Sequence, residues 1–239
     1  MTVLNPLEHV RIVLNHANHP GNIGAAARAM KTMGLHSLYL VNPKLFPNAE
    51  ASARAVNARD VLEQAIVCDN LDKALQHTVM TAAITARPRE LSHEVFDARQ
   101  GAKELLRYAQ QPVALVFGRE DAGLTREEVS KCQIVIHIPA NPECSSLNLA
   151  SAVQVMTYEL HMALRQSDAA AAVESPVSYH DLESFYAHLE CVMIASDFLD
   201  PEKPKFLMQR IRRLFARARL EKEEVQILRG ILTAVEKRW

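Results

Sequence analysis

Three short stretches gather residue types that bind or activate polar groups. Ser145-Ser146-Leu147-Asn148 places two hydroxyls and an amide between a turn-rich loop, Ala140 to Cys144, and a long helical pattern. Such groups both donate and accept hydrogen bonds, at what reads as a strand-to-helix turn. Phe117-Gly118-Arg119-Glu120 sets two charges at the end of an apolar run. That arrangement is costly unless the charges are solvated, paired or used. The run from Asn15 to Arg28 holds a Pro20-Gly21-Asn22 turn, Gly24, a string of alanines and then Arg28. Arg28 lies six residues beyond Asn22, within the first turns of the helix that follows.

Each stretch has a plainer reading. Asn22 is a candidate N-cap, and Arg28 could be a surface arginine on a tightly packed helix. Arg119 and Glu120 could pair with each other or with the end of the helix that follows. Ser145 or Ser146 could cap the helix that follows, although two serines and Asn148 exceed what one cap needs. Thr125 with Glu128 reads as a capping box. Other chemistries find less support. Gly21-x-x-Gly24 lacks the G-x-G-x-x-G spacing of a dinucleotide loop, and neither a P-loop Gly-Lys-Ser/Thr nor a G-x-S-x-G elbow occurs. The four cysteines, Cys68, Cys132, Cys144 and Cys191, form no CxxC pair. No metal site is expected, and the setting reads as reducing and cytoplasmic. The first residues carry no basic-then-apolar leader pattern. No apolar run approaches the ~18 residues that span a bilayer, so no membrane association is expected.

The elements that must position these groups alternate. Strand-like runs lie at Val10–Leu14, Ser37–Val41, Val79–Thr85, Val113–Phe117 and Ile134–Ile138. Helical patterns lie at about 22–33, 49–57, 71–76, 103–109, 125–131 and 147–164. Continuous apolar strands alternating with helices predict an α/β fold: a mostly parallel sheet with helices on both faces. All three stretches then fall at strand ends, where ligands of open α/β sheets bind.

After Arg165 the pattern changes. Residues 166–178 read as a linker between a first domain, 1–165, and a small all-helical domain, 179–239. Residues 201–239 hold eleven Lys/Arg against five Asp/Glu, so this end carries +6 while the whole chain carries −1. A basic appendage on an acidic body suits a polyanion-binding module, and equally a solvated helix surface. In its clearest helix Leu207, Ile211, Leu214, Phe215 and Ala218 form the expected apolar stripe. Arg210, Arg213 and Arg217 flank one side, and Arg212 and Arg219 the other.

Together the three stretches resemble the motifs of the SPOUT class of S-adenosylmethionine-dependent RNA methyltransferases, within it the TrmJ-type tRNA 2′-O-ribose methyltransferases. Asn22 and Arg28, then Phe117-Gly118-Arg119-Glu120 with Gly123-Leu124, then Pro139 with Ser145-Ser146-Leu147-Asn148-Leu149 stand in the family's order and spacing. The resemblance covers roughly residues 8–165, and more loosely the basic helical end. It implies a C-terminal trefoil knot in the α/β domain, which general folding rules would not predict. It implies S-adenosylmethionine as methyl donor, held by Ile84, Thr85, Ala86, Gly118, Ile138, Ser145, Ser146 and Leu147. It also implies a homodimer through the first and last helices of that domain, with Arg28 near the partner's cofactor. The implied catalytic set is Arg28, Ser146, Asn148, Asn22 and Glu120, with Glu120 holding Arg28 or the active-site loop. The basic helix, Arg210, Arg212, Arg213, Arg217 and Arg219, would bind tRNA.

The implied substrate is the ribose 2′-hydroxyl of a tRNA nucleotide, cytidine or uridine at position 32 of the anticodon loop. Methylation of ribosomal RNA or of another tRNA site remains open, as does a nonenzymatic RNA-binding protein. Cys144 stands where close relatives often carry an aromatic residue. It is not a nucleophile, because direct methyl transfer needs no covalent enzyme intermediate.

Overall fold

The structure, a computed structural model, describes residues 5–86, 94–165, 173 and 176–237. Its strands are β1 Val10–Asn15, β2 Ser37–Val41, β3 Ile66–Cys68, β4 Met80–Ile84, β5 Glu94–Asp97, β6 Val113–Phe117 and β7 Ile134–His137. They form one sheet in the order β3-β2-β1-β6-β4-β7-β5. Every neighbouring pair is parallel. The helices are α1 Pro20–Thr32, α2 Ala49–Ala55, α3 Arg59–Glu63, α4 Leu71–Leu75, α5 Ala98–Leu106, α6 Arg126–Ser130 and α7 Leu149–Arg165, followed by α8 Tyr179–Ala195, α9 Leu207–Ala218 and α10 Lys222–Glu236.

Strand periodicity sorts the core into two layers. Ile12, Leu14, Ala82, Leu115, Phe117 and Ile136 face one side, with Met30 of α1, Leu105 of α5 and Met156 of α7. Val13, Ala83, Ala114, Val116 and Val135 face the other, with Leu71 and Leu75 of α4 and Val129 of α6. This second layer is thin, since its helices are one turn long. Tyr179 of α8 completes it: it is buried, its N–H donates to Thr78 O (2.7 Å) and its hydroxyl donates to Asp72. The helical end is therefore built into the sheet's cover. It also has its own core around Phe185, Tyr186 and Val225. There Phe185 and Phe215 meet edge to face at 5.0 Å.

All five expected strands form. The short edge strands β3 and β5, and α3, were not anticipated. Ile66 and Val67 of β3 are exposed, so that edge carries no apolar pattern of readable length. Helix α5 starts at Ala98, ahead of the expected position, because Asp97 caps it by accepting from Gln100 N (2.8 Å). On α9 the buried stripe is rotated from the expected one. Met208, Ile211 and Phe215 pack inward, while Leu214 is 51 % exposed and Ala218 is exposed. The expected linker falls largely outside the described residues.

Candidate active site

A cavity of about 160 Å³ opens over the carboxyl ends of β4, β6 and β7. Ile84, Thr85 and Ala86 line it from β4, Phe117 to Leu124 from β6, and Ile138 from β7. Ser145, Ser146 and Leu147 close it, with Leu149 and Ala152 of α7. The eight residues expected at a cofactor thus line a single space. Phe117, Arg119, Gly123, Leu124 and Leu149 also line it; they stand in the motifs but were not expected at the cofactor. Asp121, Ala122 and Ala152 adjoin the motifs, and nothing in their side-chain chemistry marks them.

The floor rests on Gly118. A Cβ there would lie 2.2 Å from Gly123 C and 2.4 Å from Leu124 N, so only glycine lets the two backbone segments touch. Arg119 and Gly123 exchange both backbone hydrogen bonds, at 3.2 and 2.9 Å. Gly123 turns the loop at φ +68, a conformation that favours glycine. Arg119 does not pair with Glu120. Its guanidinium forks onto Glu128 at 3.0 and 2.9 Å, and Glu128 also accepts from Thr125 N at 2.7 Å. The expected capping box of Thr125 and Glu128 is present. It anchors the cavity wall as well as the start of α6.

Burial works against ionising Glu128. Hydrogen bonds from Arg119 and Thr125 outweigh that cost and bring its pKa down to about 2, from 4.5. A carboxylate with a depressed folded pKa stabilises the fold above its unfolded pKa and loses that contribution as pH falls through its folded one. Glu128→Gln should therefore cost about 2 kcal/mol at neutral pH, the worth of a charge-assisted bond. That difference should stay constant above pH 4.5 and shrink as pH approaches 2. Urea unfolding of both proteins across this range measures it. A difference independent of pH would mean the ion pair contributes nothing.

A second network joins all three motifs. The Glu120 carboxylate accepts from Asn18 N (2.9 Å), His19 N (3.1 Å) and Asn22 Nδ2 (3.1 Å). Burial raises its cost of ionisation, but these bonds prevail and its pKa lies below the ordinary value. An ionised carboxylate only accepts, so Asn22 must turn its amide nitrogen toward Glu120. That leaves Asn22 Oδ1 to accept from Asn148 Nδ2 at 3.0 Å. Asn148 Oδ1 in turn accepts from Ala150 N at 2.9 Å and caps α7. The polarity of the chain is thus set from one end. Capping of α7 falls to Asn148 and to neither serine. Among the described residues the Ser145 and Ser146 hydroxyls have no hydrogen-bond partner.

Asn22 is not an N-cap. Helix α1 begins at Pro20, whose fixed φ suits the first turn, with His19 before it. The Asn22 side chain is thereby free to reach Glu120. Gly24 serves packing: a Cβ there would sit 2.1 Å from Ala51 O of α2. Arg28 lies on α1 outside the cavity wall, exposed, and its guanidinium makes no hydrogen bond or ion pair to a described residue. Glu120 holds the loop at Asn18 and His19 and does not hold Arg28. Cys144 is exposed on the neighbouring loop.

A parallel sheet with its cavity over these strand ends is the architecture of SpoU-type methyltransferases, and residues 9–158 match the SpoU rRNA Methylase family. AviRb from Streptomyces viridochromogenes, a SpoU methyltransferase solved with the cofactor AdoMet, shares the fold (TM-score 0.52, 21% identity, 66% of this chain and 61% of that one). Residues 180–239 match the C-terminal domain of tRNA methyltransferase TrmJ. The chain belongs to the TrmJ family. It is 47% identical to the tRNA (cytidine/uridine/adenosine-2′-O-)-methyltransferase TrmJ of Pseudomonas aeruginosa, over 97% of this chain and 95% of that protein. It is also 47% identical to the tRNA (cytidine/uridine-2′-O-)-methyltransferase TrmJ of Photorhabdus laumondii, over 97% and 98%. The crystal structure of TrmJ from Z. mobilis ZM4 superposes with a TM-score of 0.84 at 31% identity, covering 95% of this chain and 98% of that one. The expected trefoil knot follows from this family.

Proposed function

We propose that the protein transfers a methyl group from S-adenosylmethionine to the ribose 2′-hydroxyl of a tRNA nucleotide, cytidine or uridine at position 32. The observation that carries this reading is the near-full-length likeness to tRNA 2′-O-methyltransferases in a chain whose eight expected cofactor residues line one cavity. The residues fit the donor. Three adjacent strand ends offer main-chain groups, and Gly118 keeps side chains off the floor. Bound S-adenosylmethionine supplies an electrophilic methyl for in-line attack by the 2′-oxygen.

The chain's own residues must place that oxygen and stabilise its negative charge. Positioning alone can remove several kcal/mol from the barrier. Arg28 is the cation for the charge and the adjacent phosphate. Its guanidinium stays protonated and cannot serve as a base. Among the described residues its guanidinium has no partner, which leaves its donors for substrate. Asn148 belongs to the catalytic set: with its carbonyl on α7 and one amide proton on Asn22, a second amide proton remains for the ribose. Ser146 adds a hydroxyl from the cavity wall. We assign residues 1–165 to catalysis, 166–178 to a linker and 179–239 to RNA binding, in a homodimer through α1 and α7 that brings Arg28 beside the partner's cofactor.

Of the five arginines expected to hold tRNA, the structure leaves Arg210, Arg213 and Arg217 exposed on α9. Arg212 and Arg219 are committed inside the protein. We therefore assign phosphate contacts to the first three. A cytoplasmic setting is part of this proposal. No helix among the described residues is long and apolar enough to cross a membrane. The test is transfer of labelled methyl to an unmodified tRNA pool, followed by nucleoside mapping. The expected product is 2′-O-methylcytidine and 2′-O-methyluridine at position 32. Label at another tRNA position or only in ribosomal RNA would overturn the assigned site, and absence of transfer would overturn the enzyme reading.

A further inference from the structure

Two arginines of the basic segment are engaged by protein partners. Arg212 forks onto Glu183 of α8 at 2.5 and 2.6 Å and stacks 4.4 Å over Tyr186, which ties α9 to its own domain. Arg219 reaches further. It ends α9 in a left-handed conformation, φ 54, that few non-glycine residues adopt. From there it donates to Glu94 of β5 (2.8 Å), to Glu104 of α5 (3.1 Å) and to the Tyr108 hydroxyl (3.4 Å). All three partners belong to the sheet domain. At the other end of α9, Phe206 lies under the guanidinium of Arg126, the first residue of α6, at 5.8 Å. Arg126 follows the cavity wall by two residues, since Leu124 lines it. Helix α9 is thus fastened at both ends, once beside the cavity and once at the start of β5.

We infer that Arg219 is a positioning residue, a clamp that holds α9 in fixed register against the catalytic domain and so presents Arg210, Arg213 and Arg217 at a set distance from the active site. This rests on the tRNA-methyltransferase reading above. The gain is one of preorganisation: ordering a helix at the moment of binding costs affinity, and a prior clamp removes that cost. It predicts that acidic residues support RNA binding. Glu94 and Glu104 repel phosphate, yet they hold the clamp.

The experiment uses the full-length protein with Arg219→Gln, the double variant Glu94→Gln with Glu104→Gln, and Arg213→Gln. Three quantities are read: amide hydrogen exchange in α9, steady-state constants for tRNA, and the dependence of tRNA affinity on salt. The clamp predicts that Arg219→Gln and the acidic double variant each speed exchange in α9. Each should also raise KM for tRNA about fivefold, the size of a partly buried charge-assisted contact, with kcat and the salt slope unchanged. Arg213→Gln should leave exchange unchanged and flatten the salt slope by about 0.7–0.9, one phosphate contact. If Arg219 instead held RNA, Arg219→Gln would flatten the slope while the acidic double variant tightened binding. Either of those results, or unchanged exchange in α9, overturns the clamp. Should tRNA not be a substrate at all, the salt and KM arms fail for every variant. The exchange measurement then still decides the clamp.

Discussion

Arg28→Ala should lower methyl transfer to tRNA by about a hundredfold to a thousandfold, the range seen when one donor to a developing oxyanion is removed. Binding of S-adenosylhomocysteine should stay within about twofold, because Arg28 is no part of the cavity wall. Folding should be equally unaffected. The side chain is exposed and makes no bond to a described residue, and changes at such sites usually stay within about 0.5 kcal/mol. Arg28→Lys separates charge from geometry: a lysine keeps the charge and loses the planar fork. Partial recovery in that variant would assign the role to charge, and none would assign it to bidentate grip. Single-turnover transfer with labelled donor, alongside calorimetry, reads all of this. Full activity in Arg28→Ala would remove Arg28 from the mechanism.

Gly118→Ala should abolish cofactor binding. The added Cβ would stand 2.2 Å from Gly123 C and 2.4 Å from Leu124 N, and both are backbone atoms that no rotamer change can move. The loop must open, which breaks the paired backbone bonds between Arg119 and Gly123 and takes Arg119 off its fork on Glu128. We expect at least a hundredfold loss of S-adenosylhomocysteine affinity, about 2.7 kcal/mol. Gly24→Ala is the control. Its Cβ would meet Ala51 O at 2.1 Å, a clash of comparable severity between α1 and α2, away from the cavity wall. Overpacking of this kind costs about 1–3 kcal/mol of stability. Gly24→Ala should lower the melting temperature while its folded fraction keeps native affinity. Equal loss of affinity in both variants would mean that Gly118 acts only through global stability.

The central sheet was legible because its strands are buried on both faces, and continuous apolar runs such as Val113–Phe117 announce that directly. The edge strands were not, because β3 and β5 hold their place by backbone pairing while their side chains stay partly exposed. Much of the cavity wall was legible because the motifs lie at strand ends, where chain order and cavity coincide. The roles inside the motifs were harder to read. Asn22 looked like a cap, and Ser145 or Ser146 like the cap of α7. Asn148 proved to be that cap, and Asn22 a bridge between Glu120 and Asn148.

The basic helix shows the same division most sharply. Five arginines within ten residues look alike to a charge count, and periodicity sorted them correctly into two flanks. Which flank met protein and which met solvent depended on Glu183, Glu94 and Glu104, far away in the chain. By itself, then, the sequence determined the fold class and the family motifs, because local pattern encodes them, and the resemblance carried by those motifs picked out eight residues that line one cavity. Only the tertiary structure decided which polar groups face one another. A side chain's role is set by the partner that neutralises or orients it, and partners such as Glu120 and Asn22, 98 residues apart, meet only once the sheet has formed.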